Sequence, residues 1–463
     1  MRHIFATISA ILLLTACSGT RNLATPDVDM PSAYQPGEPA DSVTIADMDW
    51  WRFYADSTLY HIISHTLENN RDILKAAERV EELRQMYGIE KVNMLPDIGG
   101  LVGASNETNN YGGHGVDKDP EYDLKFSLNW EINLWGAMTW ARRQSAANYL
   151  ASVEDLRAMR MTLIAEVAGA YFRLLALDNE LAIVRQTLVT RSESLEQARI
   201  RFEGGLTSET VYQQAKVEYS STASLVPNLE RQITVARNAI TLLMGEYPRE
   251  YLERGKLLLN VTLPESLPVG VPSQLLERRP DLRAAEQRLA SAMSNVGLSY
   301  ANRFPNLRIG FTAGWENDEL PTFFKSPFTY AIGTITGTVL DFGRKKKKYK
   351  ASIAAYEQAR YTYEQTVLQA FTEVSNAITT YRSAHEATAL KIDLRDAAGK
   401  YVELADIQYR AGTLNYIDVL DAQRRYFDAQ IGVSNALRDE YLALITLYKS
   451  LGGGWSESAA YRH

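Results

Sequence analysis

The chain has 463 residues, 46% of them hydrophobic and 23% charged, with a formal net charge of -7 and a pI of about 5.6. That balance belongs to an ordinary foldable protein and excludes a basic nucleic-acid binder, while the single cysteine, Cys17, excludes an intramolecular disulfide and any cysteine-built metal cluster. Length alone suggests roughly three domains, yet the 15 Pro and 28 Gly are too scattered to mark several linkers, so one elongated body is expected.

The first residues read as a targeting segment. Arg2 and His3 precede the apolar run 4–14, and small residues lead to Cys17, a secretory signal over 1–16 that is too short to remain as a spanning helix. Leu14-Thr15-Ala16-Cys17 resembles a bacterial lipobox, which implies cleavage before Cys17, a diacylglycerol on its thiol and an acyl group on the new N-terminus. Ser18 rather than an aspartate follows, as in lipoproteins of the outer-membrane class. Acyl chains at about 0.8 kcal/mol per buried methylene make a stable anchor. Pro26, Pro31, Pro36 and Pro39 among Ser, Asp and Gly make 17–49 a lipidated, extended tether, with structure expected to begin near Trp50. No later stretch reaches the ~18 consecutive apolar residues of a membrane helix.

From Trp50 onward the hydrophobic period changes twice. Residues 57–94 read as helix and stop at Pro96. A weak strand follows at about 97–108. A strong one at about 122–133 alternates Tyr122, Leu124, Phe126, Leu128, Trp130 and Ile132 with Asp123, Lys125, Ser127, Asn129 and Glu131. A long helical pattern covers 137–203, with a heptad seam at Leu163, Val167, Ala170, Leu174, Leu177, Leu181, Val184 and Leu188. It ends at the turn Glu203-Gly204-Gly205, before an antiparallel partner at about 208–245.

The series then repeats. Helix is expected at 272–303, ending at Pro305. Strands follow at about 306–317, where Leu307, Ile309, Phe311, Ala313 and Trp315 alternate with polar or small residues, and at about 328–340, where Phe328, Tyr330, Ile332, Thr334 and Leu340 share one phase. A second long helical pattern covers 344–410, with Val374, Ala377, Tyr381, Ala384 and Thr388 on its seam, then the turn at Gly412 and a partner at about 415–451. A shift of 207 pairs Ala198 with Ala405, Phe202 with Tyr409, Gly205 with Gly412, Ala215 with Ala422 and Gly245 with Gly452, so the chain is an internal duplication. Its repeats are expected over 50–255 and 256–455, with a tail at 456–463.

Four amphipathic strands have no apolar partner left in the sequence, because the helices already carry seams of their own. Lipid is the natural partner. A bilayer tolerates no unpaired strand edges and four strands close no useful barrel, so several copies are expected to share one. A polar-faced soluble sandwich packed on helices is the alternative.

These residues carry a resemblance over the whole mature chain. Trp50-Trp51-x-Phe53, the segment Arg279-Pro280-Asp281-Leu282-x-x-Ala285-Glu286, Leu340-Asp341-Phe342-Gly343, and the turns Phe202-x-x-Gly205 and Tyr409-x-x-Gly412 are similar to the TolC-type outer membrane efflux family, and more closely to its lipid-anchored branch. The resemblance implies an α+β membrane protein: a homotrimer with four strands per chain in one transmembrane β-barrel, continuous with a coiled-coil helical barrel in the periplasm of a Gram-negative bacterium. It also implies a periplasmic adaptor, a proton-driven inner-membrane pump, and a passive exit duct for small molecules such as drugs. Polypeptide secretion through the same architecture is the rival within transport. A structural lipoprotein spanning the periplasm is the rival outside it.

No phosphate-cradling loop, nucleophile elbow or cysteine nucleophile is present, so no enzyme and no cofactor beyond the lipid is expected. His61 and His65 sit four apart near Glu68, half of a zinc site without a fourth ligand, and no metal is expected. Arg344, Lys345, Lys346, Lys347 and Lys348 are either a solvated first helical turn or a contact with anionic headgroups. Asp418 and Asp421 share one helix face just past Gly412. The resemblance places them at the narrow end of a tunnel, matches Tyr409 to a gate tyrosine, and finds Val211 where the related chain has a gate aspartate.

Overall fold

The computed structural model describes Pro26, residues 30–35, 43–109 and 117–255, Leu258, and residues 267–338 and 340–455. The signal segment, Cys17, most of the tether and the tail 456–463 lie outside the described residues. The chain forms two compact units, and each draws on both halves of the sequence.

The first unit holds Arg79–Val153 and Ala284–Gln365. Its centre is a four-stranded antiparallel sheet of β1 (Asp97–Asn109), β2 (Asp117–Ile132), β3 (Asn306–Asn317) and β4 (Pro327–Thr336), in that order. Directly opposed residues share a face, so the pairs Ile98↔Leu128, Leu128↔Phe311 and Trp130↔Ile309 put the apolar side chains of three strands together. That face is open: Ile98 is 74% and Val102 82% exposed, with Phe126, Trp130 and Phe311 also exposed. The opposite face carries Asp123, Lys125, Glu131, Arg308 and Glu316, in the ion pairs Lys125–Glu316 at 2.9 Å and Arg308–Glu131 at 3.0 Å.

β4 departs from the sequence expectation twice. It ends at Thr336, short of Leu340, and the pairs Gly310↔Ile332, Thr312↔Tyr330 and Gly314↔Phe328 put its bulky phase on the charged face. A short 3-10 segment, Leu320–Lys325, sets this register; alternation within one strand fixes parity but not which side is which.

Helices adjoin the sheet within this unit. Residues 79–92 of one helix, 137–153 of a second, 284–301 of α7 (Pro280–Ala301) and 344–365 of a further helix belong here. Gly297 of α7 leaves no room for a Cβ against the Trp140 ring. The two long helices start alike. Asn133 Oδ1 accepts from Met138 N at 3.0 Å, and Asp341 carboxylate oxygens accept from Gly343 N at 2.9 Å and Lys345 N at 3.0 Å. Gly136 (φ 76°), Phe342 (φ 50°) and Gly343 (φ 82°) make these sharp entries. The backbone donors at the helix start hold the Asp341 carboxyl below the usual carboxylate range, which offsets the basic run Arg344 to Lys348 at a dipole end that disfavours cations.

The second unit holds Asp29–Glu78, Glu154–Arg283 and Thr366–His463. It contains α1 (Trp50–Tyr54), α2 (Ser57–Asn69), the start of α3 (Arg71–Val92), most of α4 (Ala137–Glu203), α5 (Glu209–Leu243), α6 (Leu275–Arg278), most of α8 (Arg344–Arg410) and α9 (Tyr416–Ser450). Its core includes Leu59, Ile63, Tyr171, Leu174, Ile240, Leu447 and Tyr448, each under 2% exposed. The seam positions Val167, Leu174 and Val184 of α4 and Val374, Ala377 and Thr388 of α8 are buried, as heptad spacing requires. Phe53 of the Trp-Trp-x-Phe segment stacks on Tyr448 at 4.1 Å.

Three further expectations need correction. The helix expected over 57–94 is two helices broken at Asn70, whose side chain accepts from Asp72 N and Ile73 N and donates to Leu243 O at 2.8 Å. The helix expected from 272 is interrupted at Arg279, because the residue before a proline is pushed toward extended backbone. Ordered contacts also begin before Trp50: Tyr34 is buried and stacks on Phe371, and Gln35 donates to Thr379 Oγ1 at 2.8 Å. Among the described residues no helix is long and apolar enough to cross a membrane.

Arg279 explains the Arg-Pro-Asp segment. Its side chain is 6% exposed, pairs with Asp281 at 2.7 Å and Glu373 at 2.8 Å, and donates to Ser450 O at 3.1 Å, tying the start of α7 to α8 and to the end of α9. Burial opposes ionisation of Asp281, but the guanidinium outweighs it and holds the carboxyl below its ordinary value.

Candidate gate at the hairpin tips

Both hairpin tips use one turn. At the end of α4, Leu206 N donates to Arg201 O at 2.8 Å and Gly205 adopts φ 69°; at the end of α8, Thr413 N donates to Gln408 O at 3.0 Å and Gly412 adopts φ 75°. These bonds satisfy carbonyls that a helix end leaves orphaned, and the left-handed residue is glycine in both.

The tips meet through Tyr409, which the sequence places at the gate, and Arg201, which it does not single out. Arg201 Nη1 donates to the Tyr409 hydroxyl at 2.6 Å, and the same guanidinium lies 5.6 Å from the Tyr409 ring centroid. Tyr409 rests on Ala405, Val419 and Ala422 and lies 5.5 Å from the Tyr416 ring. Burial raises the Tyr416 hydroxyl pKa. One layer on, Glu218 of α5 takes Arg191 of α4 at 3.1 Å and Arg424 of α9 at 3.0 Å, while Arg191 stacks over Phe427. Val211 offers no carboxylate for a bond between the hairpins. Arg201 supplies the link instead, and under the shift of 207 its repeat counterpart is the uncharged Gln408.

Asp418 lies in the first turn of α9, where a carboxylate favours the helix dipole. Asp421 is paired with Arg425 at 2.7 Å, an exposed i,i+4 bridge that also raises the Arg425 pKa. Asp418 has no ion pair among the described residues, so the two aspartates are electrostatically unequal. His65 Nε2 lies 2.9 Å from Glu246 Oε1, which Arg249 also reaches at 2.5 Å, while the His61 ring packs edge-on against Tyr60. Glu121, Asp123 and Glu316 converge on the sheet, and Lys125 fills their centre.

An open sheet with one apolar and one charged face, on the same chain as paired coiled-coil hairpins, fits an outer-membrane channel. The chain belongs to the outer membrane efflux protein family, whose model matches residues 62–246 and 271–453. It is 29% identical to outer membrane protein OprJ of Pseudomonas aeruginosa, over 97% of this chain and 96% of that one. It is also 29% identical to the probable outer membrane lipoprotein SilC of Salmonella typhimurium (97% and 98%) and to the toluene efflux pump outer membrane protein TtgF of Pseudomonas putida (98% of each). Among solved structures it is similar to the outer-membrane channel OprN, with TM-score 0.87 and 27% identity over 95% of this chain and 100% of that one. The open state of the MtrE channel of Neisseria gonorrhoeae gives TM-score 0.84 at 27% identity, covering 95% and 99%.

Proposed function

We propose that this outer-membrane channel is the passive exit duct of a tripartite small-molecule efflux system. Three copies of four strands each close a barrel of twelve, and their hairpins form the periplasmic tunnel. The observation that carries the reading is the sheet itself: one exposed apolar face, one charged face, and outer edges on β1 and β4 with no partner strand among the described residues. A bilayer requires such edges to be paired, and further copies of the chain supply the pairing.

The duct does no chemistry of its own. A periplasmic adaptor and an inner-membrane pump, proton-driven on our reading, feed it. A lipid on Cys17 holds the tether to the outer membrane, a reading supported by the lipobox and by the lipoprotein name of SilC. Arg344 to Lys348 contact anionic headgroups at the periplasmic rim. Tyr409, Asp418 and Asp421 form the gate, with Gly205 and Gly412 shaping its turns. The name of TtgF favours small organic cargo over polypeptide. Deleting the gene and measuring cellular retention of a fluorescent organic dye tests this: retention should rise and return to normal on complementation, whereas unchanged retention combined with loss of a secreted polypeptide would contradict it.

A further inference from the structure

The charged face of the sheet carries one stripe that does not match it. Phe328, Tyr330 and Ile332 stand in line on β4, in rows with Gly314 and Lys125, Thr312 and Ser127, and Gly310 and Asn129 respectively. Their neighbours on β3 are small, so the stripe is not covered from that side: Tyr330 is 55% and Ile332 41% exposed. At its foot Ile332 joins Met138 and Leu298 in lining an open concavity of about 730 Å³. At its other end the Lys125 ammonium sits 5.8 Å from the Phe328 ring centroid, so this ring already takes a cation. The next row pairs Asp123 with Glu316, and with Glu121 three carboxylates surround that one ammonium, leaving a net negative charge beside the rings.

Lipid does not cover a face that also bears Arg308, Glu131 and Glu316. A neighbouring copy pairs along the β4 edge through in-plane backbone groups and leaves the face open. We propose that Phe328, Tyr330 and Ile332, with the adjacent Asp123 and Glu316, form a contact track for amphipathic organic cations crossing the barrel. The apolar body of the cargo lies along the stripe, and its charge meets the ring faces and the carboxylates. The inference rests on the reading of the chain as a duct with this face inward.

Planar-bilayer recording of the full-length oligomer tests it, with tetraphenylphosphonium and tetramethylammonium as probes. A protein that conducts no ions before any probe is added contradicts the duct reading itself. In the conducting wild type, tetraphenylphosphonium should reduce the current at concentrations about tenfold lower than in the F328S/Y330S/I332S variant, a factor equivalent to ~1.4 kcal/mol. Tetramethylammonium, which lacks the apolar body, should distinguish the two far less. Equal tetraphenylphosphonium block in both overturns the track. Loss of the oligomer in the variant shows the stripe to be packing between copies, which overturns it as well. The single exposed change Y330S, expected to leave assembly intact, should give an intermediate loss of block.

Discussion

Arg201 and Tyr409 join the two hairpin tips by a single hydrogen bond of 2.6 Å between a guanidinium and a phenolic oxygen. The bond is on the surface, yet it links the ends of the two longest helices, so small changes in it act on the tip as a whole. A hydrogen bond to a charged group contributes about 1.5–3 kcal/mol, less where water competes. Tyr409→Phe removes the acceptor and keeps the ring; Arg201→Met removes donor and charge. Both should raise resting conductance in single-channel recordings, and Tyr409→Ala, which also empties the contact with Val419 and Ala422, should raise it further. Unchanged resting conductance in all three means the link does not restrain the tip.

The two aspartates should not contribute equally. Asp421 is compensated by Arg425, so Asp418→Asn alone is expected to lower cation selectivity more than Asp421→Asn, which frees the arginine charge. On the gate reading, three copies bring the Asp418 side chains toward one axis, where converging carboxylates attract multivalent cations. The double Asn variant should lose block by such cations applied from the periplasmic side. Reversal potentials in a salt gradient measure the selectivity, and an unchanged double variant reduces both residues to helix-start charges.

Strand parity makes a two-sided prediction. Leu128→Arg or Phe311→Arg puts a charge against lipid and should cost about 2–4 kcal/mol near the bilayer midplane. Asn129→Arg or Thr312→Arg, on the other face, should alter conductance and leave thermal dissociation of the oligomer nearly unchanged. Equal destabilisation by both sets would contradict the assignment of one lipid-facing and one lumen-facing side.

Arg279 and Asp281 predict acid sensitivity. Because the folded pKa of Asp281 is depressed, the pairing stabilises the fold above the unfolded carboxylate value of about 3.9 and is lost as pH falls through the lower folded value. Thermal unfolding followed from pH 6 to pH 3 should show a steeper loss in the wild type than in Asp281→Asn. Arg279→Met should be destabilising at neutral pH by about 1–3 kcal/mol, since it leaves the carbonyl of buried Ser450 without its donor and Asp281 without its cation. Parallel pH profiles for wild type and Asp281→Asn would remove this contact from the stability account.

The anchor is tested by Cys17→Ser, which should abolish labelling by radioactive fatty acid and signal cleavage at that site. Unchanged labelling refutes the lipobox assignment.

Much of this architecture is legible in the sequence, for identifiable reasons. The bounds 137–203 and 344–410 follow from glycine-bearing turns at both ends and a heptad seam between them. β2 and β3 follow from alternation of large apolar residues with charged, polar or small ones. What is not legible depends on partners distant in the chain. The side of β4 is set by its pairing to β3, the break at Asn70 by a hydrogen bond to Leu243, and the docking of Tyr34 by Phe371. Arg201 escaped notice because its partner lies 208 residues away and its repeat counterpart is Gln408. The one signal available was that asymmetry.

The measurement that bears most directly on the central claim is single-channel recording of the purified full-length protein in planar bilayers, with its mass determined in the same detergent. The account predicts a trimer that inserts and gives discrete, cation-selective conductance steps, with resting conductance raised by Tyr409→Ala. A stable monomer, or an oligomer that inserts without conducting in either the wild type or Tyr409→Ala, would contradict it.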